Sequence, residues 1–297
     1  MSTIASSKER FIRQEAADEH FFRLKNRCSF RLGTTSFILQ DDILPNVRWL
    51  AQRIDDVELV LFESDGFSNL PSPAVVSELR AIAADHALSY TVHLPLDMAL
   101  GHADETVRQD SIACCMRLFD RMEPLSPFAY VVHFTGDKRA QMPTDDMPRW
   151  LDGHREALSL FSGVVGSRRL CVETLEYPFE LVEPVVEELD LAVCLDIGHL
   201  LLMGRHVRSH LDRLAGRIRI VHAHGIIDGK DHQTLAACNE PVLINLLRAL
   251  PCLPQAPAVL TMEIFSLSDF QDSMRVMNKL LCESDSLTSS TAGFQHG

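Results

Sequence analysis

Apolar and polar positions along the chain fall into a repeating pattern. Short, nearly unbroken apolar runs alternate with longer stretches in which apolar residues recur every three or four positions. Eight runs stand out: FRLGTTSF near residue 30, DVELVLFE (56–63), LSYTVHL (88–94), AYVVHFT (129–135), RLCVET (169–174), LAVCLDI (191–197), IRIVHAH (218–224) and AVLTMEI (258–264). Their Val, Ile, Leu and aromatic content, without strict alternation, predicts strands covered on both faces, as in parallel sheets. Helical spacing fills the gaps, as in DDILPNVRWLAQRI, SPAVVSELRAIAADH, TVRQDSIACCMRLFDRM and NEPVLINLLRAL. Pro45 falls near the first turn of its helix, a tolerated position. Eight strand–helix units in succession predict an α/β fold, a (β/α)8 barrel. The competing architecture is an open doubly wound sheet, which usually carries a glycine-rich phosphate loop. The chain has neither GxGxxG nor a P-loop.

Six runs end in residue types that bind metals: His93, His133, Glu173, Asp196, His222 and Glu263. In a parallel barrel all strands open the same way, so residues far apart in sequence converge at one mouth. A lone histidine at a strand end is more often an ordinary hydrogen-bonded residue; the argument rests on six such ends together. Carboxylates with imidazole predict a site for a divalent cation, one or two ions of Mn, Zn, Fe, Co or Mg. Oxygen-rich ligation leans toward Mn or Mg, and added imidazoles toward Zn or Fe. Glu173, Asp196, His222 and Glu263 form the main predicted set, and His93 and His133 extend it to a second ion. His199, His224, Asp231 and His232 are weaker ligand candidates. Two ions a few ångströms apart suit in-line attack on a phosphodiester. The predicted catalytic residues are Glu173 and Glu263, with His199 or His232 handling the proton of the leaving oxygen. Glu63, Lys230, Phe37 and Phe134 are candidate substrate contacts, with Phe67 and Phe265 beside them, although Glu63 reads slightly better as a salt-bridged rim residue. Lys138, Arg139 and the hydroxyls of LGTTSF are weaker candidates for phosphate. His206 and His210 are one helical turn apart, but without HEXXH a solvated helix face is the better reading. GxSxG is missing, which argues against a serine nucleophile.

With 297 residues and 46% hydrophobic content, the chain has material for one large core. Its net charge of -13 argues against nucleic acid as a partner. That charge is compatible with a metal-centred site that receives phosphate. No apolar run is long enough to span a membrane, and the polar start MSTIASSKERFIRQEAADEH lacks a secretory apolar segment. The eight cysteines form no CxxC pair and lie mostly in apolar segments, which predicts a reduced, cytoplasmic setting. The expected organisation is an N-terminal helical arm over 1–28, a catalytic barrel over 29–282 and a disordered Ser/Thr-rich tail over 283–297.

The strand-end pattern resembles the xylose isomerase-like (AP endonuclease family 2) TIM barrel superfamily, which holds sugar isomerases, epimerases and endonuclease IV-type phosphodiesterases. Glu173, Asp196, His222 and Glu263 match the superfamily's metal quartet. His93, His133 and the His199 of LDIGH resemble the endonuclease IV-type multinuclear pattern. That type carries Asp-x-His after strand seven; here Asp231 and His232 are adjacent. RLGTTSFILQDDILPNVRWLAQRIDDVELVLFES, YTVHLPLD, CLDIGHLLLMG and HAHGIIDGKDHQTL resemble the cobamide-remodelling phosphodiesterases of this superfamily, over most of residues 29–280. The resemblance implies a small-molecule corrinoid substrate, an adenosylated cobamide. Water would cut the phosphodiester of its nucleotide loop to give adenosylcobinamide phosphate and a lower-ligand riboside. The rival reading is a sugar isomerase or epimerase, in which Glu173 and Glu263 exchange a carbon-bound proton across one metal. Abasic-site DNA repair and a non-catalytic corrinoid-binding protein are further alternatives.

Overall fold

A computed structural model describes residues 23–64, 66–136, 142–254 and 258–292. Residues 1–22 of the expected helical arm, together with Lys138 and Arg139, lie outside the described residues. Eight parallel strands close into a barrel in sequence order: β1 (Arg31–Thr35), β2 (Asp56–Val60), β3 (Ser89–His93), β4 (Ala129–Val132), β5 (Leu170–Glu173), β6 (Ala192–Asp196), β7 (Ile218–Ala223) and β8 (Val259–Met262), with β8 pairing back onto β1. The (β/α)8 architecture expected from the apolar runs is the observed one.

Several helices start at a side-chain cap that the sequence supplies. In α1 (Ile43–Leu50) the buried Ile43, Val47 and Leu50 face the barrel. Ser72 caps α2 (Pro73–His86) by accepting from the Val75 amide, with Pro73 in the first turn. Asp104 caps α3 (Glu105–Met122), and Asp146 caps α4 (Met147–Val165). After the short α5 (Glu183–Glu188), Asp196 closes β6 and also caps α6 (Ile197–Leu202), accepting from the His199 amide at 2.8 Å. Helices α7 (Val207–Leu214) and α8 (Glu240–Ala249) follow. The last helix, α9 (Leu267–Ala292), runs into the segment expected to be disordered. Phe270, Met274, Met277 and Leu280 bury its first half in the core, and an anchored helix propagates easily beyond its nucleus. No described helix is long and apolar enough to cross a membrane.

One strand is shorter than its apolar run. β2 stops at Val60, and Glu63 instead begins a small hairpin that pairs Glu63–Ser64 with Phe67–Ser68. Asn69 explains the break: its side chain donates to the Val60 carbonyl at 2.9 Å and accepts from the Phe62 amide at 2.7 Å, satisfying the groups that would continue the ladder. A second hairpin, Gly225–Ile227 with Lys230–Gln233, follows β7.

Inside the barrel one half is apolar, built from Ala129, Val131, Cys171, Ala192, Cys194 and Ile220. At the amino end of the strands, Phe128 lies between the guanidinium groups of Arg31 (4.5 Å) and Arg219 (4.1 Å), closing that end. Leu24 packs into the same outer core as the barrel helices.

The opposite half carries Asp56, fully buried, with the Ser89 hydroxyl donating to one oxygen and the other without a partner. Burial pushes its pKa from 3.8 up to about 6. Because the folded value lies above the unfolded one, the buried charge penalises the fold increasingly as pH rises from about 4 to 6, and constantly above that. Asp56→Asn is therefore expected to stabilise the protein by about 3 kcal/mol at about pH 8 and hardly at all at about pH 4. Urea unfolding at both pH values checks this; an equal effect at both would show that charge burial is not the cause.

Candidate metal centre

The parallel topology delivers the six strand-end residues to one mouth. His93 is the last residue of β3, Glu173 of β5 and Asp196 of β6; His222 lies one before the end of β7; His133 and Glu263 directly follow β4 and β8. Asp196 and His222 are register partners across β6 and β7. All six are buried except His133, which is partly exposed.

Among the described residues two sets of strand-end ligand atoms form, each within 4.8 Å of one another: His93, His133 and Glu173; and Glu173, Asp196, His222 and Glu263, with the Cys194 thiol within the same distance of Glu173 and His222. With bonds of about 2.0–2.3 Å, atoms around one ion stand about 3–4 Å apart, so each set is spaced for one ion. Glu173 belongs to both. Its Oε2 lies 2.6 Å from His133 Nε2 and 3.4 Å from His93 Nε2, and its Oε1 lies 3.3 Å from His222 Nδ1. A third group brings His199, His224 and His232 together, with Asp231 3.9 Å from His199 and 3.8 Å from His232. His232 takes the left-handed backbone conformation, with φ of 53°. Its Nδ1 lies 3.5 Å from Glu263.

Neighbouring groups fix the imidazole orientations. His93 Nδ1 donates to the Leu94 carbonyl at 2.8 Å, which turns Nε2 toward Glu173. His222 Nε2 donates to Glu58 Oε2 at 2.9 Å, which turns Nδ1 toward Glu173 and Glu263. This carboxylate–imidazole pairing is the usual support of a metal-binding histidine. Glu58 is absent from the residues that the sequence singles out. Its signal was an acid in the middle of the apolar run DVELV, two residues after Asp56, where an unpaired charge would be costly.

Two fully buried atoms have no hydrogen-bond partner among the described residues and face each other at 3.1 Å: His222 Nδ1 and Glu263 Oε2. Such orphaned atoms fit a cation that would satisfy both. Charge is strongly coupled across the cluster. Burial opposes charge on His93, yet the adjacent Glu173 raises its pKa to about 9. Burial likewise opposes charge on His199, and Asp196 outweighs it, again to about 9. Glu173 and Glu263 are held well below the usual carboxylate range against burial, the first chiefly by His133 and the second by His222.

The mouth encloses a cavity of about 450 Å³ bounded by these groups and by an apolar wall that includes Phe62, Leu96, Leu175 and Phe265. Phe134 reaches it from full burial, stacked on His154 at 4.2 Å. Glu63, Lys230 and Phe37 do not line it. Glu63 accepts from the Ser68 hydroxyl within its hairpin, Lys230 is exposed, and Phe37 packs on Phe62 at 5.6 Å. The hydroxyls of Thr34 and Thr35 donate to the Met262 and Ile264 carbonyls, so they tie β1 to β8 instead of facing a ligand. His210 is buried, not solvated, and donates to the His206 carbonyl at 3.0 Å; neither residue borders the cavity.

The fold is shared with solved structures of low sequence identity. A D-tagatose 3-epimerase-like protein is 18% identical, with 87% of this chain and 100% of that one covered at a TM-score of 0.72. Endonuclease IV from Thermus thermophilus is 22% identical, with 85% and 99% covered at 0.62. The IOLI protein, solved with a bound zinc atom, is 13% identical, with 86% and 99% covered at 0.65. No curated protein matches the sequence. The family model for the xylose isomerase-like TIM barrel matches residues 50–251, more than half of the chain. With the closed eight-stranded barrel, that match makes this chain a member of the xylose isomerase-like TIM barrel family.

Proposed function

We propose that this barrel is a divalent-metal-dependent hydrolase that cleaves a phosphodiester, its substrate class being adenosylated cobamides. The observation that carries the hydrolase reading is the position of Glu173, one carboxylate with an oxygen toward His93 and His133 and the other toward His222. His93, His133 and Glu173 would hold one cation, and Glu173, Asp196, His222 and Glu263 a second. Divalent cations generate a nucleophile from water near neutral pH and draw charge from phosphoryl oxygens. The chain's own residues do the rest. Glu58 keeps His222 Nδ1 aimed at the site. His199 and the partly exposed His232 border the cavity, where they would hold or deliver the proton of the leaving oxygen. Phe62, Leu96, Leu175 and Phe265 would receive an apolar ring system. The corrinoid assignment is supported by the sequence resemblance of LGTTSFILQDD, CLDIGH and HAHGIIDGKDHQTL. Water adds across the nucleotide-loop phosphodiester, releasing adenosylcobinamide phosphate and the lower-ligand riboside.

One observation favours sugar epimerisation as a second reading. Glu173 and Glu263 approach the same His222 nitrogen, at 3.3 and 3.1 Å, so two carboxylates flank one position. Reloading metal-free protein with Mn, Zn, Fe or Co and offering adenosylcobalamin, a purine adenosylcobamide and a ketose panel separates the two. Metal-dependent adenosylcobinamide phosphate, resolved by chromatography, is the expected product. Epimerised ketose with no corrinoid product would overturn the hydrolase reading.

A further inference from the structure

His199, His224 and His232 bring ring nitrogens within 4.8 Å of one another, which invites a third ion held by all three. The hydrogen bonds of His224 argue otherwise. The His232 amide donates to His224 Nδ1 at 3.0 Å, so that nitrogen offers its lone pair inward and carries no hydrogen. The ring hydrogen then sits on Nε2, which faces both oxygens of Asp196, at 3.2 and 3.3 Å. The Gly225 carbonyl, 3.3 Å from Nδ1, could only accept a hydrogen there; the shorter contact from the His232 amide uses that nitrogen as the acceptor instead. Neither nitrogen is left for a cation.

We infer that His224 is a positioning residue: its imidazole clamps the Asp196 carboxylate on one side and the His232 backbone on the other. It thereby sets the distance between the main ligand set and the hairpin after β7. With the His199 amide on Oδ1 at 2.8 Å, the His224 N–H fixes the rotation of Asp196 and leaves Oδ2 toward His222, at 3.9 Å. The same slot explains Gly198 in the CLDIGH segment. A Cβ there would lie 2.0 Å from His224 Cε1, so only glycine lets the ring pass beneath the first turn of α6. The inference rests on the metal reading of Asp196.

Titration of metal-free protein with Co(II), in competition with a chelator, tests it through metal stoichiometry, affinity and the visible Co(II) spectrum. Wild type, His224→Ala, His224→Gln, Gly198→Ala and the double variant Gly198→Ala with His224→Ala are compared, with near-ultraviolet circular dichroism as the folding control. His224→Ala should bind as many ions as wild type, with the affinity of the Asp196 site about 10–100-fold weaker and its spectrum shifted. His224→Gln, which keeps an N–H near the place of Nε2, should recover most of that loss. Gly198→Ala should weaken the site while His224 is present and add little once it is alanine. Loss of one whole equivalent in His224→Ala with the remaining affinity unchanged would make His224 a ligand and overturn the inference. So would His224→Gln behaving as alanine. Wild type that binds no Co(II) would remove the metal reading itself, a separate result.

Discussion

Glu173→Gln should lose metal-dependent turnover by about 10³-fold or more, because the metal contribution it supports amounts to several kcal/mol of charge stabilisation. The same substitution should weaken both ion positions at once. Its carboxylate is the only group common to the two ligand sets, and glutamine replaces a charged oxygen by an amide that cannot serve both. Asp196→Asn provides the contrast. Asp196 belongs to the four-residue set alone, so the set of His93, His133 and Glu173 should still load. Glutamine is nearly isosteric in a site where Glu173 is 1% exposed, so near-native circular dichroism is expected alongside the loss. Elemental analysis after gel filtration, paired with single-turnover product formation, reads both effects. A Glu173→Gln protein that retains two tightly held ions would mean that Glu173 does not bridge, and the two-ion reading would fail with it.

The barrel was legible in the sequence because parallel strands are buried on both faces and read as unbroken apolar runs. The mouth was legible for a related reason: a histidine or carboxylate that ends such a run is conspicuous, and topology alone carries it to the common site. His93, His133, Glu173, Asp196, His222 and Glu263 all meet there. What was hidden depends on contacts between distant segments. Glu58 sits mid-strand, and its partner His222 is 164 positions away, so nothing local announces the pair. The end of β2 was misplaced because the side chain of Asn69, nine residues on, takes up the Val60 carbonyl that would have extended the strand. Phe134 was expected to touch substrate. It reaches the cavity from within a wall whose depth comes from Trp150, His154 and Tyr177 on other segments. His224 looked like one more ligand. Its role as a clamp depends on a backbone amide in the hairpin and on the space left by Gly198, neither visible as a motif.

Metal loading should tighten steeply as pH rises. At neutral pH the metal-free chain carries protons on His93 and His199, whose pKa values both stand at about 9. Glu173 beside His93, and Asp196 beside His199, outweigh the burial that opposes charge on each. A cation among the same carboxylates takes the lone pair of one imidazole and repels the proton of the other, so binding releases both. Release of two protons means about a hundredfold gain in apparent affinity per pH unit, levelling off above about pH 9. His222, also raised well above its ordinary value, would steepen the slope further. The metal-free fold should respond in the opposite sense. An imidazole whose folded pKa exceeds its unfolded value of 6.5 contributes stability that is complete below that value and disappears as pH rises through about 9. The Tm of the metal-free chain should therefore fall across this window, while at fixed cation concentration the growing affinity offsets the fall. Calorimetric titration in two buffers of different ionisation enthalpy counts the protons released, and thermal melts with and without cation give the two slopes. Proton release near zero, with both Tm curves moving in parallel, would mean that the imidazoles are neutral before any ion arrives. The carboxylates would then face one another unpaired in the metal-free chain, and neither slope would have a raised imidazole pKa behind it.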